Sequence, residues 1–201
     1  MGAHAASVMQ KREVQVDWRK LEIDVEVFPR NAIASKPLST SVIDYLVTSG
    51  LPSWCAPHLY FGATEGVYLP SLAEWQWAIN WNKTAYQLAV AKFPDSYVLG
   101  VAQDDEPIVL LPGDSAIYKF SDTGSDLTIL NTSPEKLSRT VYAFAEMVEE
   151  AVSVNSAAFI ESCVPHTLVD EFIAKLKQLE PSLSQRNSIW QEWALQTCDN
   201  A

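Results

Sequence analysis

Between Tyr97 and Val152 the apolar pattern changes its period once, and that change limits what the chain can fold into. Ahead of it stand four short apolar runs: Tyr97–Ala102, Ile108–Leu111, Ala116–Phe120 and Leu127–Leu130. They are parted by Gln103–Pro107, Pro112–Asp114 and Ser121–Asp126, all rich in turn-forming residues. This rhythm predicts four consecutive strands joined by hairpins. After the change, Leu137, Val141, Phe144, Ala145, Val148 and Val152 form one stripe of a helix. At the junction, Ser133 is suited to accept a free N–H of the first helical turn. Pro134, which has no N–H, costs nothing at the first helical position. The unit is an antiparallel meander followed by a long amphipathic helix, which places the chain in the α+β class with a central antiparallel sheet flanked by helices.

Around this unit the pattern is less regular. Val14, Val16 and Trp18, then Leu21, Ile23, Val25 and Val27, alternate with polar residues and predict strands with one wet face. Ser39 to Ser49 reads as a helix closed by Gly50 in a left-handed cap. From Trp54 to Leu72 aromatics mix with Pro57, Gly62, Gly66 and Pro70, an irregular or short-stranded stretch. Trp75, Trp77 and Trp81 alternate as in a strand. The row reads either as part of the core or as a stacking platform for a ligand. Asn155 to Pro165 reads as a connector or a short helix. Thr167 is expected to cap a helix through Lys177, and a last helix is expected over Ser184 to Gln196. One domain over residues 1–201 is expected, with a disordered start over 1–12 and the core over about 38–193.

Charge excludes some partners. The 201 residues carry 14 basic and 25 acidic side chains, a formal charge of −11. Such a field repels a phosphate backbone, so direct nucleic-acid binding is disfavoured, and it favours a basic protein partner. Acidity serving solubility alone is the plain alternative. Cys55, Cys163 and Cys198 form no C-x-x-C pair, which suits a reducing compartment. Residues 1–10 lack the basic start and apolar run of a secretory signal, and no run of about 18 apolar residues predicts a membrane span. A cytoplasmic location without membrane contact is expected.

The motifs argue against catalysis. Asp104-Asp105-Glu106 falls in a predicted hairpin tip, where solvent keeps carboxylates ionised and poor at proton transfer. His58 and His166 each stand beside proline in loops, without a matching nucleophile motif. Neither phosphate-binding glycine motif occurs, and no metal-ligand spacing is present, so no cofactor and no metal are expected. Seven carboxylates lie between Asp95 and Asp126, against Lys119 as the single basic residue. Most fall in turns, whose tips can gather at the ends of a sheet. Asp104, Asp105, Glu106, Asp114, Asp122 and Asp126 are accordingly the candidate partner-binding residues. Aspartate is also favoured in turns for its local hydrogen bonds, and both readings stand.

Several short motifs together resemble the SUKH superfamily. They are the Gly50-Leu51-Pro52 helix end, Leu99-Gly100, the Ile108–Leu111 and Ile117-Tyr118 strands, and Ile129-Leu130-Asn131-Thr132-Ser133 leading into a long helix. Leu179-Glu180-Pro181 with Trp190 resembles the tail of one subgroup. One departure lies in the first hairpin tip. There Gln103-Asp104-Asp105-Glu106-Pro107 stands where family members often carry Asp-Gly. The resemblance covers about Leu38 to Trp193. It implies a SUKH-like fold without catalytic residues, and a bacterial immunity protein that binds a cognate toxin, usually a nuclease or deaminase. The alternative function is an interaction or regulatory scaffold of the same fold that binds a cellular partner. A homodimer is a further state the reading allows.

Overall fold

The meander from Tyr97 to Asn131 forms four strands of a six-stranded sheet, its last strand lying at one edge. The structure is a computed structural model, and it describes residues 16–63, 66–75, 81–102, 105–183 and 188–198. In chain order the strands are β1 (Val25–Glu26), β2 (Leu51–Pro52), β3 (Trp54–Cys55) and β4 (Leu59–Phe61). The meander strands follow as β5 (Tyr97–Val101), β6 (Pro107–Leu110), β7 (Ile117–Phe120) and β8 (Leu127–Asn131). The helices are α1 (Arg30–Ile33), α2 (Thr40–Thr48), α3 (Lys83–Lys92), α4 (Pro134–Val154), α5 (His166–Leu179) and α6 (Ile189–Gln196). Strands β3 to β8 pair in sequence order as one six-stranded antiparallel sheet, while β1 and β2 pair apart from it. The four expected strands are present, and two short ones extend them at the β4 edge.

The helix termini form where the local chemistry provides for them. Ser133 Oγ accepts from Lys136 N at 3.2 Å, so α4 begins at Pro134 as the sequence suggests. Gly50 closes α2 at φ 69°, and a Cβ there would lie 2.3 Å from the Glu26 carbonyl oxygen. Along α4 the side chains of Leu137, Val141, Phe144, Ala145 and Val148 are buried. Each large one contributes roughly 1.5–3 kcal/mol on burial. This stripe packs with Leu99, Ile108, Leu110, Ile117 and Leu130 on the inner face of the sheet, and α2, α5 and α6 complete that core.

Two edges of the sequence reading change. The residues that alternate near the start form no long strands. Trp18–Leu21 is a 3-10 turn ended by Glu22 at φ 53°, and only Val25–Glu26 pairs, with Leu51 and Pro52. Trp18, Leu21, Ile23 and Val25 rest on the core, Trp18 edge-on to Tyr142 at 5.3 Å, whereas Val27 is exposed and Val14 lies outside the described residues. Thr167 does not cap α5, which begins at His166 with Pro165 in the cap position and no side-chain cap. Pro165 holds an extended conformation with no N–H to place, so the helix can start directly after it.

The outer face is covered by the segment between β4 and β5. There Leu72, Trp75, Trp81, Ala85 and Ala89 pack on Val98, Val101, Val109 and Phe120, forming a second core. Trp75 and Trp81 are therefore core residues and not a platform, while Trp77 and the rest of 76–80 lie outside the described residues. The expected last helix is seen over Ile189–Gln196, with Ser188 and Gln191 as a reciprocal cap; residues 184–187 lie outside the described part.

Candidate partner-binding end of the sheet

Strand register decides which turns share an end. Val101 pairs with Pro107, Ile108 with Lys119, and Phe120 with Leu127, so the turns 102–106 and 121–126 project from the same end of the sheet. Tyr60 pairs with Val101 and Cys55 with Leu59, which brings the 56–58 turn to that end as well. Each of these turns is two strands from the next. At about 4.8 Å per strand, neighbouring turn centres are about 10 Å apart. The opposite end carries the 111–116 turn, beside Leu110 and Ile117.

The candidate carboxylates divide accordingly. Asp105, Glu106, Asp122 and Asp126 lie at the first end; Asp104 adjoins them in sequence but lies outside the described residues. Asp114 is at the far end and is held by its own turn. Its Oδ1 accepts from Ser115 N at 2.6 Å and Ala116 N at 3.0 Å, and its Oδ2 accepts from Tyr118 OH at 2.6 Å. The Ala116 N–H and the Tyr118 hydroxyl hold its carboxyl below the usual carboxylate range. Burial and the hydrogen bond to Asp114 push the Tyr118 phenol up to about 12. For Asp114, local hydrogen bonding explains the residue, and the five described candidates do not form one rim.

Within the group at the first end the environments differ. Glu106 forms an ion pair with Lys119, and each side chain is only 12% exposed. Burial pushes the Glu106 carboxyl up; Lys119 opposes that shift, and a hydrogen bond with Asp122 adds to it. Lys119 thus cancels the charge of Glu106, and Lys92 of α3 donates to the Ser125 carbonyl at 2.8 Å, so the net negative charge of the described part of these turns rests on Asp105, Asp122 and Asp126. Asp122 and Asp126 are exposed, the latter accepting from Ser125 Oγ at 2.6 Å, and Asp105 is half-buried at φ 57°.

The sequence motifs that are far apart in the chain meet at the other end of the sheet. Glu180, fully buried, accepts from Thr132 N at 2.8 Å, Asn131 Nδ2 at 3.2 Å, Thr132 Oγ1 at 3.0 Å and Lys136 Nζ at 3.3 Å. Trp190 Nε1 donates to Asn131 Oδ1 at 3.0 Å. So Asn131, Thr132, Lys136, Glu180 and Trp190 build one polar joint between β8, α4, α5 and α6, with Asn131, Glu180 and Trp190 fully buried in it. The model of a protein family described as SUKH-4 immunity protein matches residues 5–196. The chain belongs to the SUKH-4 immunity protein family. No curated protein and no solved structure is significantly similar to it.

Membership gives the general role: a SUKH-4 immunity protein protects by binding a toxin and is not an enzyme. The antiparallel sheet flanked by helices is the architecture expected of a SUKH-like protein. Among the described residues no group of three or more His, Cys, Asp or Glu is placed to hold a metal ion, and no helix is long and apolar enough to cross a membrane. Cys55, Cys163 and Cys198 are free thiols, and burial raises the Cys55 thiol far above its ordinary range.

One feature of this SUKH-4 protein was not legible as a site. Pro57 and His58, Phe159 and Ile160, and Trp193 and Gln196 come together around a cleft of about 440 Å³ at the acidic end. The signals were weak. His58 reads as an ordinary loop histidine and Trp193 as an inward helix residue.

Proposed function

We propose that this immunity protein neutralises a basic protein toxin of the nuclease or deaminase kind, in the cytoplasm of the cell that makes both. The surface used is the end of the sheet carrying Asp105, Glu106, Asp122 and Asp126. The observation that carries the reading is this register-determined gathering of turns that contain carboxylates and no lysine or arginine. Enzymes that act on nucleic acid hold a polyanion in a basic cleft, and an acidic surface can occupy the same field. Exposed rim charges act mainly on the rate of encounter. The 111–116 turn, with Asp114 satisfied internally, is not part of this surface.

The test is co-expression with the protein encoded by the adjacent gene. Growth is expected to be restored by this chain, and killing that persists beside soluble, folded protein would overturn the reading. Asp122→Lys with Asp126→Lys is expected to slow association by roughly tenfold or more at low salt and to flatten its salt dependence. An unchanged association rate would remove these two residues from the surface.

A further inference from the structure

The cleft at the acidic end is built by three segments distant in sequence. The 56–58 turn of the sheet supplies Pro57 and His58, the α4–α5 connector supplies Phe159 and Ile160, and α6 supplies Trp193 and Gln196. The His58 and Phe159 rings are 5.9 Å apart, which ties the turn to the connector. Two of its residues hold left-handed backbone without being glycine, His58 at φ 70° and Ser162 at φ 51°. Such conformations cost of order 1–3 kcal/mol each and persist where the surroundings enforce them. At the lip, Ile160 is 86% exposed, an unusual position for a branched aliphatic side chain.

Most of the charge at this end of the sheet is acidic: Lys119 is paired with Glu106, and Lys92 of α3 donates to the Ser125 carbonyl at the 121–126 turn, the turn farthest from the cleft. The segments 51–63, 102–106, 121–126, 155–163 and 188–198 contain no lysine and no arginine. Their described residues include Asp105, Glu106, Asp122, Asp126, Glu161 and Glu192. An aromatic-lined hollow with a charged margin has the anatomy of a binding hot spot, in which a desolvated anchor sits inside a polar rim. The lining sets Phe159, Ile160 and Trp193 beside the polar Ser162, Gln196 and Thr197, so the hollow suits an apolar or aromatic side chain flanked by polar groups, whereas the margin suits cations.

We propose that this cleft is the anchor socket for the toxin: it receives an apolar or aromatic side chain projecting from a basic surface, while the acidic turns contact the cations around it. This rests on the toxin-binding reading above and adds the part of the surface that sets the lifetime of the complex. Rim charges govern how fast the partners meet; a filled socket governs how slowly they part.

The experiment uses the full chain and the protein encoded by the adjacent gene. Ile160→Lys changes a residue almost wholly in solvent, so folding is preserved, and circular dichroism checks this. Dissociation is expected to accelerate by roughly tenfold or more, while association, which meets one added positive charge, slows far less than in Asp122→Lys with Asp126→Lys. In parallel, a photo-crosslinking amino acid at position 160 is expected to capture the toxin, and one at the exposed Leu88 of α3 is not. Wild-type dissociation in Ile160→Lys, with the Asp122 and Asp126 variant still slowed in association, would overturn the socket and leave the acidic surface standing. No binding by the wild-type chain would overturn both. A cross-link from position 160 to a second copy of this chain would replace the toxin as occupant.

Discussion

Trp190 donates its indole N–H to the Leu130 carbonyl at 3.1 Å, where β8 shifts register against β7. Tyr118 pairs with Ile129 and Ile117 with Asn131, so Leu130 is the extra residue of a bulge. Trp190, 60 residues later, supplies that carbonyl with a donor. The same indole reaches Asn131 Oδ1, so one side chain joins α6 to the end of the meander. Trp190→Phe keeps much of the packing and removes the donor. A loss of about 1–3 kcal/mol is expected, read as a lower denaturant midpoint at unchanged slope.

Glu180 carries a comparable burden with charge added. Its carboxylate is buried among donors from Asn131, Thr132 and Lys136. Glu180→Ala leaves these donors facing a void and is expected to cost at least about 2 kcal/mol. Lys136→Met is expected to cost less, because the Lys136 side chain is 41% exposed and the carboxylate keeps its other partners. Thermal unfolding of the two variants side by side checks the order.

Gly100 is needed for space and not for a special φ. A Cβ there would lie 2.1 Å from the Tyr60 carbonyl oxygen and 2.7 Å from Phe61 Cδ1, on the neighbouring strand. Gly100→Ala is expected to spread β4 from β5 and to destabilise by about 1–3 kcal/mol. Hydrogen exchange is expected to rise first in β3 and β4, the short strands beyond that contact.

Two carboxylates give opposite slopes to stability against pH. Asp114 has a folded pKa below its ordinary 3.8. Its contribution is therefore present above that value and lost as pH falls through the depressed one. Glu106 has a folded pKa above its ordinary 4.5. The fold binds its proton more readily than the unfolded chain, and stability from this group falls as pH rises from 4.5 through the raised value. Asp114→Asn is expected to flatten the loss below about pH 4, and Glu106→Gln the decline above about pH 4.5. Urea midpoints measured across the acid range distinguish the two.

Local chemistry made part of this molecule readable from its residues. The meander and α4 followed from a change of period, and Ser133-Pro134 and Gly50 marked helix ends through contacts that span only a few positions. Helix α3 was less visible because the side chains it buries are the small Ala85 and Ala89, which leave little stripe to see. The helix backbone lies close against the β7–β8 turn: a Cβ at Gly124 would lie 2.0 Å from the Ala85 carbonyl oxygen. That close layer turned Trp75 and Trp81 into core. Strand register, a long-range property, sent Asp114 to one end and Asp105, Asp122 and Asp126 to the other, although all look alike as turn residues. The cleft depended on the tertiary structure still more. Pro57, Phe159 and Trp193 share no local pattern, and they meet because α4 carries the chain back along the sheet and α6 then packs beside it.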